Sequence, residues 1–314
     1  MTDFRKNLPQ LNGDLFLTDG GIETTLIFHE GLELPYFASF DLLKTLKGRK
    51  ALRNYFDTYA HIATQQHTGL ILESATWRAN PDWGTKLGYS AKALETVNRD
   101  AIEMLVGIRE EWQNGNPIVI SGCVGPRSDG YSPEFQMTAE AAEKYHSEQI
   151  AVFSETETDI ITAITMTYSE EAIGVTRAAK SAGMPVAISF TVETDGRLPS
   201  GQALKDAIIQ VDAETGGGPA YYMINCAHPT HFSDALTSDE SWLERIHGLR
   251  ANASKCSHAE LDEATELDDG NPVELGQNYV ALKSVLKNLN VMGGCCGTDH
   301  RHIEAIGEAC RPLF

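Results

Sequence analysis

PIVISGCVGP (Pro117–Pro126), DIITAITM (Asp159–Met166) and PVAISFTV (Pro185–Val192) are three apolar runs of strand length, rich in Ile, Val and Thr. Such β-branched residues suit a pleated, buried surface. Between them, about 138–157 and 169–181 carry the helical alternation of apolar and charged residues. Strand, helix, strand in that order, with nearly continuous apolar strands, predicts parallel strands covered by helices.

The same unit extends in both directions. Upstream lie LFLTDGG (Leu15–Gly21), a helical stretch over 40–66, LILESATW (Leu70–Trp77) and a helical stretch over 90–113. Downstream come a helical stretch over 201–215, YYMINCAH (Tyr221–His228), the weaker GLRANAS (Gly248–Ser254), NVMGGCCG (Asn290–Gly297) and a last helix to about Glu308. Eight such units predict an α/β fold closed as a (β/α)8 TIM barrel, one domain over residues 1–314. An open doubly wound sheet is the alternative, but DGGIET after the first strand lacks the G-x-G-x-x-G spacing of a dinucleotide site. The polar stretch Lys255–Asn271 reads as a solvated loop or a lid over the barrel mouth.

The formal net charge of -19 repels phosphate backbones and anionic membranes, so neither nucleic acid nor a membrane is an expected partner. No run approaches the ~18 to 20 apolar residues of a membrane span, and the first residues lack the apolar core of a secretory signal. The expected compartment is therefore the cytoplasm, where clustered cysteines act as metal ligands or catalysts more often than as disulfides. No feature specifies an oligomeric state.

Polar and glycine-rich residues gather where strands end: Thr18-Asp19-Gly20-Gly21, Glu73-Ser74, Gly125-Pro126, Asn225-Cys226 and Gly293 to Gly297. In a barrel these ends share the face that carries the active site. Cys295 and Cys296 are adjacent among glycines, whose backbone freedom lets two neighbouring side chains aim at one atom. Cys226 could supply a third thiolate across the mouth, leaving a fourth zinc position open to substrate. The alternative is that all three are small buried residues. His228 and His300 are nearby alternative ligands; Cys123, Cys256 and Cys310 have no partner pattern and read as structural. Asp19 could hold a substrate ammonium or simply form a turn, and Glu73 and Glu193 are further carboxylates near the mouth.

Five stretches together, LTDGGIETTL (Leu17–Leu26), GCVGP (Gly122–Pro126), ISFTVETDGRLPSG (Ile188–Gly201), INCAHP (Ile224–Pro229) and GGCCGTDHRHI (Gly293–Ile303), resemble the homocysteine S-methyltransferase family. The resemblance implies the (β/α)8 barrel, a Zn2+ ion held by Cys226, Cys295 and Cys296, and a substrate contact at Asp19 with Gly20 and Gly21 lining the same turn. Thr76 matches a further family substrate contact, and Asn225 completes the expected set beside the metal. One position departs. Where the family carries a glutamate for the substrate ammonium at the end of the fourth strand, this chain has Ile164 within Thr162-Ala163-Ile164-Thr165. Burying an ammonium there without a partner costs on the order of several kcal/mol. Either another carboxylate, Glu73 among the candidates, replaces it, or the thiol lacks a free ammonium at that point; the second reading is favoured.

The implied reaction moves a methyl group from a small sulfonium or ammonium donor to a zinc-activated thiol, homocysteine or a relative. A free thiol is only a few per cent ionised at neutral pH, and zinc removes its proton. Two rival classes remain: a metal-dependent barrel lyase or hydrolase, with His228 or Glu193 as its base, and a non-catalytic zinc- or thiol-binding protein.

Overall fold

In a computed structural model, the chain forms eight parallel strands: β1 (Phe16–Leu17), β2 (Gly69–Glu73), β3 (Ile118–Val124), β4 (Ile160–Met166), β5 (Val186–Thr191), β6 (Tyr221–Asn225), β7 (Ile246–Ala251) and β8 (Val291–Gly294). They pair in chain order into a closed barrel. β1 meets β8 through Phe16↔Val291 and Leu17↔Met292. The structure describes residues 4–112, 115–131, 135–236, 240–264 and 266–314. Gln113, the expected end of one helix, and Thr265 within the acidic loop lie outside them.

Because side chains alternate across a strand, each strand serves two layers. Outward residues such as Leu70, Leu72, Ile118, Ile120, Ile161 and Ile188 pack against helix residues including Leu52, Phe56, Leu105, Ile150 and Phe153. A second cluster plugs the barrel, built from Leu8, Phe16, Ile71, Val119, Ile160, Ala187, Tyr221, Met223 and Val291. Moving two residues along each strand changes the chemistry. Thr18, Glu73, Ser121, Thr162, Ser189, Asn225 and Arg250 are all buried, and they form a polar layer above the apolar plug. Hydroxyls pair across it, with Ser121 Oγ and Thr162 Oγ1 2.7 Å apart and Ser189 Oγ donating to Asn225 Oδ1 at 2.6 Å. At Gly293, the same layer on β8, an added Cβ would lie 1.8 Å from Thr18 Oγ1. The β1–β8 seam thus closes only around a residue without a side chain.

One helical expectation changes. The stretch over 40–66 is a 3-10 segment (Ser39–Lys44) followed by the helix Leu46–Gln66, separated because Thr45 Oγ1 caps the second by accepting from Gly48 N. After β6, among the described residues, only Pro229–Phe232 is α-helical, followed by two short 3-10 turns. The other predicted helices are present as Ala91–Glu111, Ala139–Ser154, Ser169–Ser181, Leu204–Thr215 and His300–Cys310, and Pro272–Val285 follows the acidic loop. Among the described residues, no helix is long and apolar enough to cross a membrane.

Candidate active site and metal centre

The sulfurs of Cys226, Cys295 and Cys296 lie within 4.8 Å of one another, the only such His/Cys/Asp/Glu cluster among the described residues. Cys226 follows β6 with φ 53°, its N–H donating to Arg250 O at 3.1 Å. Cys295 and Cys296 follow β8, their loop pinned by Cys295 N to Ala251 O (2.8 Å), Ala253 N to Cys296 O (3.0 Å) and Gly297 N to Thr24 Oγ1 (3.0 Å). Gly21 allows β1 to approach, since a Cβ there would sit 2.6 Å from Cys295 O. Cys226 and Cys295 are joined as a disulfide, and Cys296 lies outside that bond. Cys226 is buried, while Cys295 and Cys296 are partly open. His228 is instead a cap: its Nδ1 meets Thr230 Oγ1 at 2.8 Å, and burial, then His231 and Lys255, hold it down at about 4. His300 is exposed at the start of the last helix. Cys123 and Cys310 are buried and Cys256 half-buried, all free thiols.

The residue before Cys226 acts as a clamp. Asn225 Oδ1 accepts from Thr165 N (3.0 Å) and Ser189 Oγ, while its Nδ2 donates to Thr165 Oγ1 (2.9 Å). Thr165 is held at φ 67°, a conformation that costs a β-branched residue on the order of 1–3 kcal/mol and persists only where neighbours enforce it. This fixes the end of β4, where Ile164 is buried and its carbonyl accepts from Trp77 Nε1 at 3.2 Å.

Asp19 is not a free carboxylate. Arg250 Nη1 lies 2.6 Å from its Oδ1, and Tyr55 donates to its Oδ2 at 2.8 Å. Arg250 also donates to Gly20 O (3.2 Å) and Gly294 O (3.1 Å), tying β1, β7 and β8 together directly below the cysteines. Burial opposes the guanidinium's charge, but Asp19 and then Glu73 hold its pKa above the ordinary value. Glu73 stands beside the hydroxyls of Ser121 and Thr162 in the polar layer, pushed up to about 7 by burial. Thr76 is fully buried and donates to Cys123 O at 2.7 Å, supporting the strand ends.

Two further residues lie against the cysteines. Tyr131, from the loop after β3, donates its hydroxyl to Cys226 Sγ at 3.4 Å and lies 3.5 Å from Cys296 Sγ. Its ring packs on His258 at 4.3 Å between centroids. His258, inside the 255–271 segment, bonds Cys226 O at 2.5 Å and Glu193 Oε1 at 3.2 Å. His258 thus packs that end of the segment against the mouth, where it also engages Glu193. The only sequence signal for Arg250 was a charge at an inward position of a buried strand; Tyr131 and His258 had none.

The homocysteine S-methyltransferase family profile matches residues 16–310. The chain is 24% identical to betaine–homocysteine S-methyltransferase 1 of Rattus norvegicus over 264 residues, which cover 77% of this chain and 61% of the relative. The Bos taurus protein of the same name gives 24% over 261 residues with the same coverage. The chain thus spans somewhat less than two thirds of these relatives. The fold superposes on the Escherichia coli homocysteine methyltransferase MmuM. Its oxidized form gives a TM-score of 0.77 at 16% identity over 98% of this chain and 99% of that one; its metallated form gives 0.73 at 16% over 94% and 96%. With the profile running from β1 to the last helix, the chain belongs to the homocysteine S-methyltransferase family.

Proposed function

We propose that this protein is a zinc-dependent methyltransferase that moves a methyl group from a small sulfonium or ammonium donor to the sulfur of a thiol. The carrying observation is the convergence of three cysteine sulfurs within 4.8 Å at a partly open barrel mouth. Three soft sulfurs, all ionisable once the Cys226–Cys295 bond is reduced, fit zinc and leave one position for substrate. In the reduced protein Cys226, Cys295 and Cys296 would hold it. When bound, zinc keeps a coordinated thiol ionised at neutral pH.

The chain's own residues supply alignment. The Asn225 clamp and Arg250 fix the two strand ends that carry the cysteines, and the Tyr131–His258 stack packs beside them. The thiol sulfur then forms the new S–CH3 bond as the donor's C–S or C–N bond breaks, with the electron pair leaving on the donor and cancelling its positive charge. No acid or base is required at the methyl carbon, so holding sulfur, methyl and leaving group in line is the main task. The hydrolytic alternative fares worse: Glu193 is bonded to His258 and His228 to Thr230.

The test is to reduce the protein, load zinc, and screen sulfonium and ammonium donors against thiols by mass spectrometry. One zinc per chain and a methylated thiol are expected, with most zinc lost in Cys296→Ala. Full zinc retention in all three single cysteine-to-alanine variants, or no methyl transfer from any donor, would sink the reading.

A further inference from the structure

The proposed reaction poses a problem of choice. In the reduced protein three cysteine sulfurs, within 4.8 Å of one another, would stand beside a substrate sulfur and one methyl donor, yet only the substrate sulfur is to react. A methyl group on Cys226 or Cys296 would turn an anionic ligand into a neutral thioether and dismantle the cluster. Burial protects Cys226, which is 2% exposed, but not Cys296, which is partly open.

Tyr131 is placed to protect both. Its hydroxyl lies 3.4 Å from Cys226 Sγ and 3.5 Å from Cys296 Sγ, hydrogen-bonding lengths for an acceptor as large as sulfur. Between two thiolates its single proton can be shared as a three-centre bond. The hydroxyl is held there by several contacts. The ring packs on His258, which is itself bonded to Cys226 O and Glu193 Oε1. Tyr131 N donates to Asp129 Oδ1 at 2.8 Å, closing a turn. One residue earlier, a Cβ on Gly130 would lie 3.1 Å from Thr165 Cγ2 and 3.2 Å from Trp77 Cζ2, so the loop is seated against the end of β4. Arg78, buried with its guanidinium 4.0 Å from the centroids of both Trp77 and Trp83, donates from Nη1 to Ser128 O at 2.9 Å and pins the same loop.

A sulfur lone pair engaged by a hydrogen bond must be released before it attacks carbon, and a bond to a charged acceptor is the strong kind. We propose that Tyr131 is a selectivity residue, whose hydroxyl quenches the Cys226 and Cys296 thiolates so that the methyl group passes to the substrate sulfur instead. The inference rests on the proposed methyl transfer at this centre. The suppressed step is attack of Cys296 Sγ on the methyl carbon: an S–CH3 bond forms, the donor's C–S or C–N bond breaks, and the electron pair leaves on the donor.

The test omits both the acceptor thiol and the natural donor. Reduced, zinc-loaded protein is treated with iodomethane, which methylates an accessible thiolate with loss of iodide. Tandem mass spectrometry maps the methylated cysteines over time, and a chromogenic chelator follows zinc release. Tyr131 bonds the other two sulfurs, so Cys295 is the internal reference. Tyr131→Phe keeps the ring and removes the hydroxyl. Cys296 should then be methylated about tenfold faster, the lower end of one charge-assisted hydrogen bond because the proton is shared. Cys295 should be unchanged, and zinc should leave in step with Cys296 methylation. An unchanged ratio of Cys296 to Cys295 methylation overturns the assignment, as does an equal rise at both. Wild-type behaviour of Tyr131→Phe beside fast methylation in Tyr131→Ala would assign the protection to the ring and overturn it too. So would zinc loss from Tyr131→Phe before iodomethane is added, which would make the hydroxyl a support of the metal site. Failure to load zinc, or of every donor to transfer a methyl group, would refute the proposed function; the Cys296-to-Cys295 ratio in the reduced protein still decides the role of Tyr131.

Discussion

Replacing Arg250 by Met isolates the ion pair on which the cysteine strands rest. The arginine side chain is 7% exposed and that of Asp19 6%, so water cannot replace the lost partner. The substitution keeps much of the aliphatic stem but removes the 2.6 Å contact to Asp19 and the bonds to Gly20 O and Gly294 O. Breaking a buried pair from one side costs about 3–5 kcal/mol, because the remaining charge is stranded. With a urea slope of about 3 kcal/mol/M, the unfolding midpoint should fall by roughly 1–1.7 M. Tryptophan fluorescence in urea at pH 7, with reductant and chelator present in every sample, measures it. Adding Asp19→Asn removes the stranded charge while retaining an acceptor for Tyr55, so the double variant should recover about 2 kcal/mol of the loss. A single-variant loss below about 1 kcal/mol, or a double variant no more stable than Arg250→Met, would refute the reasoning.

Glu73, raised by burial from 4.5 to about 7, is more acidic unfolded than folded, so its contribution is fully present below about pH 4.5 and is lost as pH rises through about 7. Glu73→Gln should remove on the order of 3 kcal/mol of the stability decline between pH 5 and pH 8, read from urea midpoints across that range; parallel pH profiles would exclude a buried, raised Glu73. Gly293→Ala places a methyl 1.8 Å from Thr18 Oγ1 and 2.9 Å from Asp19 O, so the β1–β8 seam should open at a cost of about 1–3 kcal/mol; an unchanged thermal midpoint together with full zinc content would contradict it.

All eight strands were legible because a strand buried on both faces writes a nearly uninterrupted apolar run, which needs no partner to be seen. The Cys226, Cys295 and Cys296 cluster was legible for a different reason: glycines and cysteines at strand ends retain their meaning once the ends are known to share a face. The break at Thr45 was not, because one capping hydroxyl separates two stretches of similar composition. The short helical segment after β6 was likewise unmarked. Asp19 was found at the right strand end, but its pairing depends on Arg250, more than 200 positions away and brought beside it by closure. Tyr131 lies in a loop and His258 opens a helix of only six residues, too short for periodicity to record a neighbour.

Cys226 and Cys295 stand 69 positions apart, and the loop carrying Cys295 and Cys296 is braced by β1 through Gly21 and Thr24 as well as by β7. A growing chain therefore has no centre while β8 is unmade: Asn225 and Cys226 can be in place, yet two of three sulfurs and the strand that braces them are missing. Half-built barrels emerging from the ribosome should thus lack the three-sulfur cluster, and with it the proposed metal site. Assembly order makes the chemistry a property of the finished closure, with the first and last strands joined before any substrate can be activated.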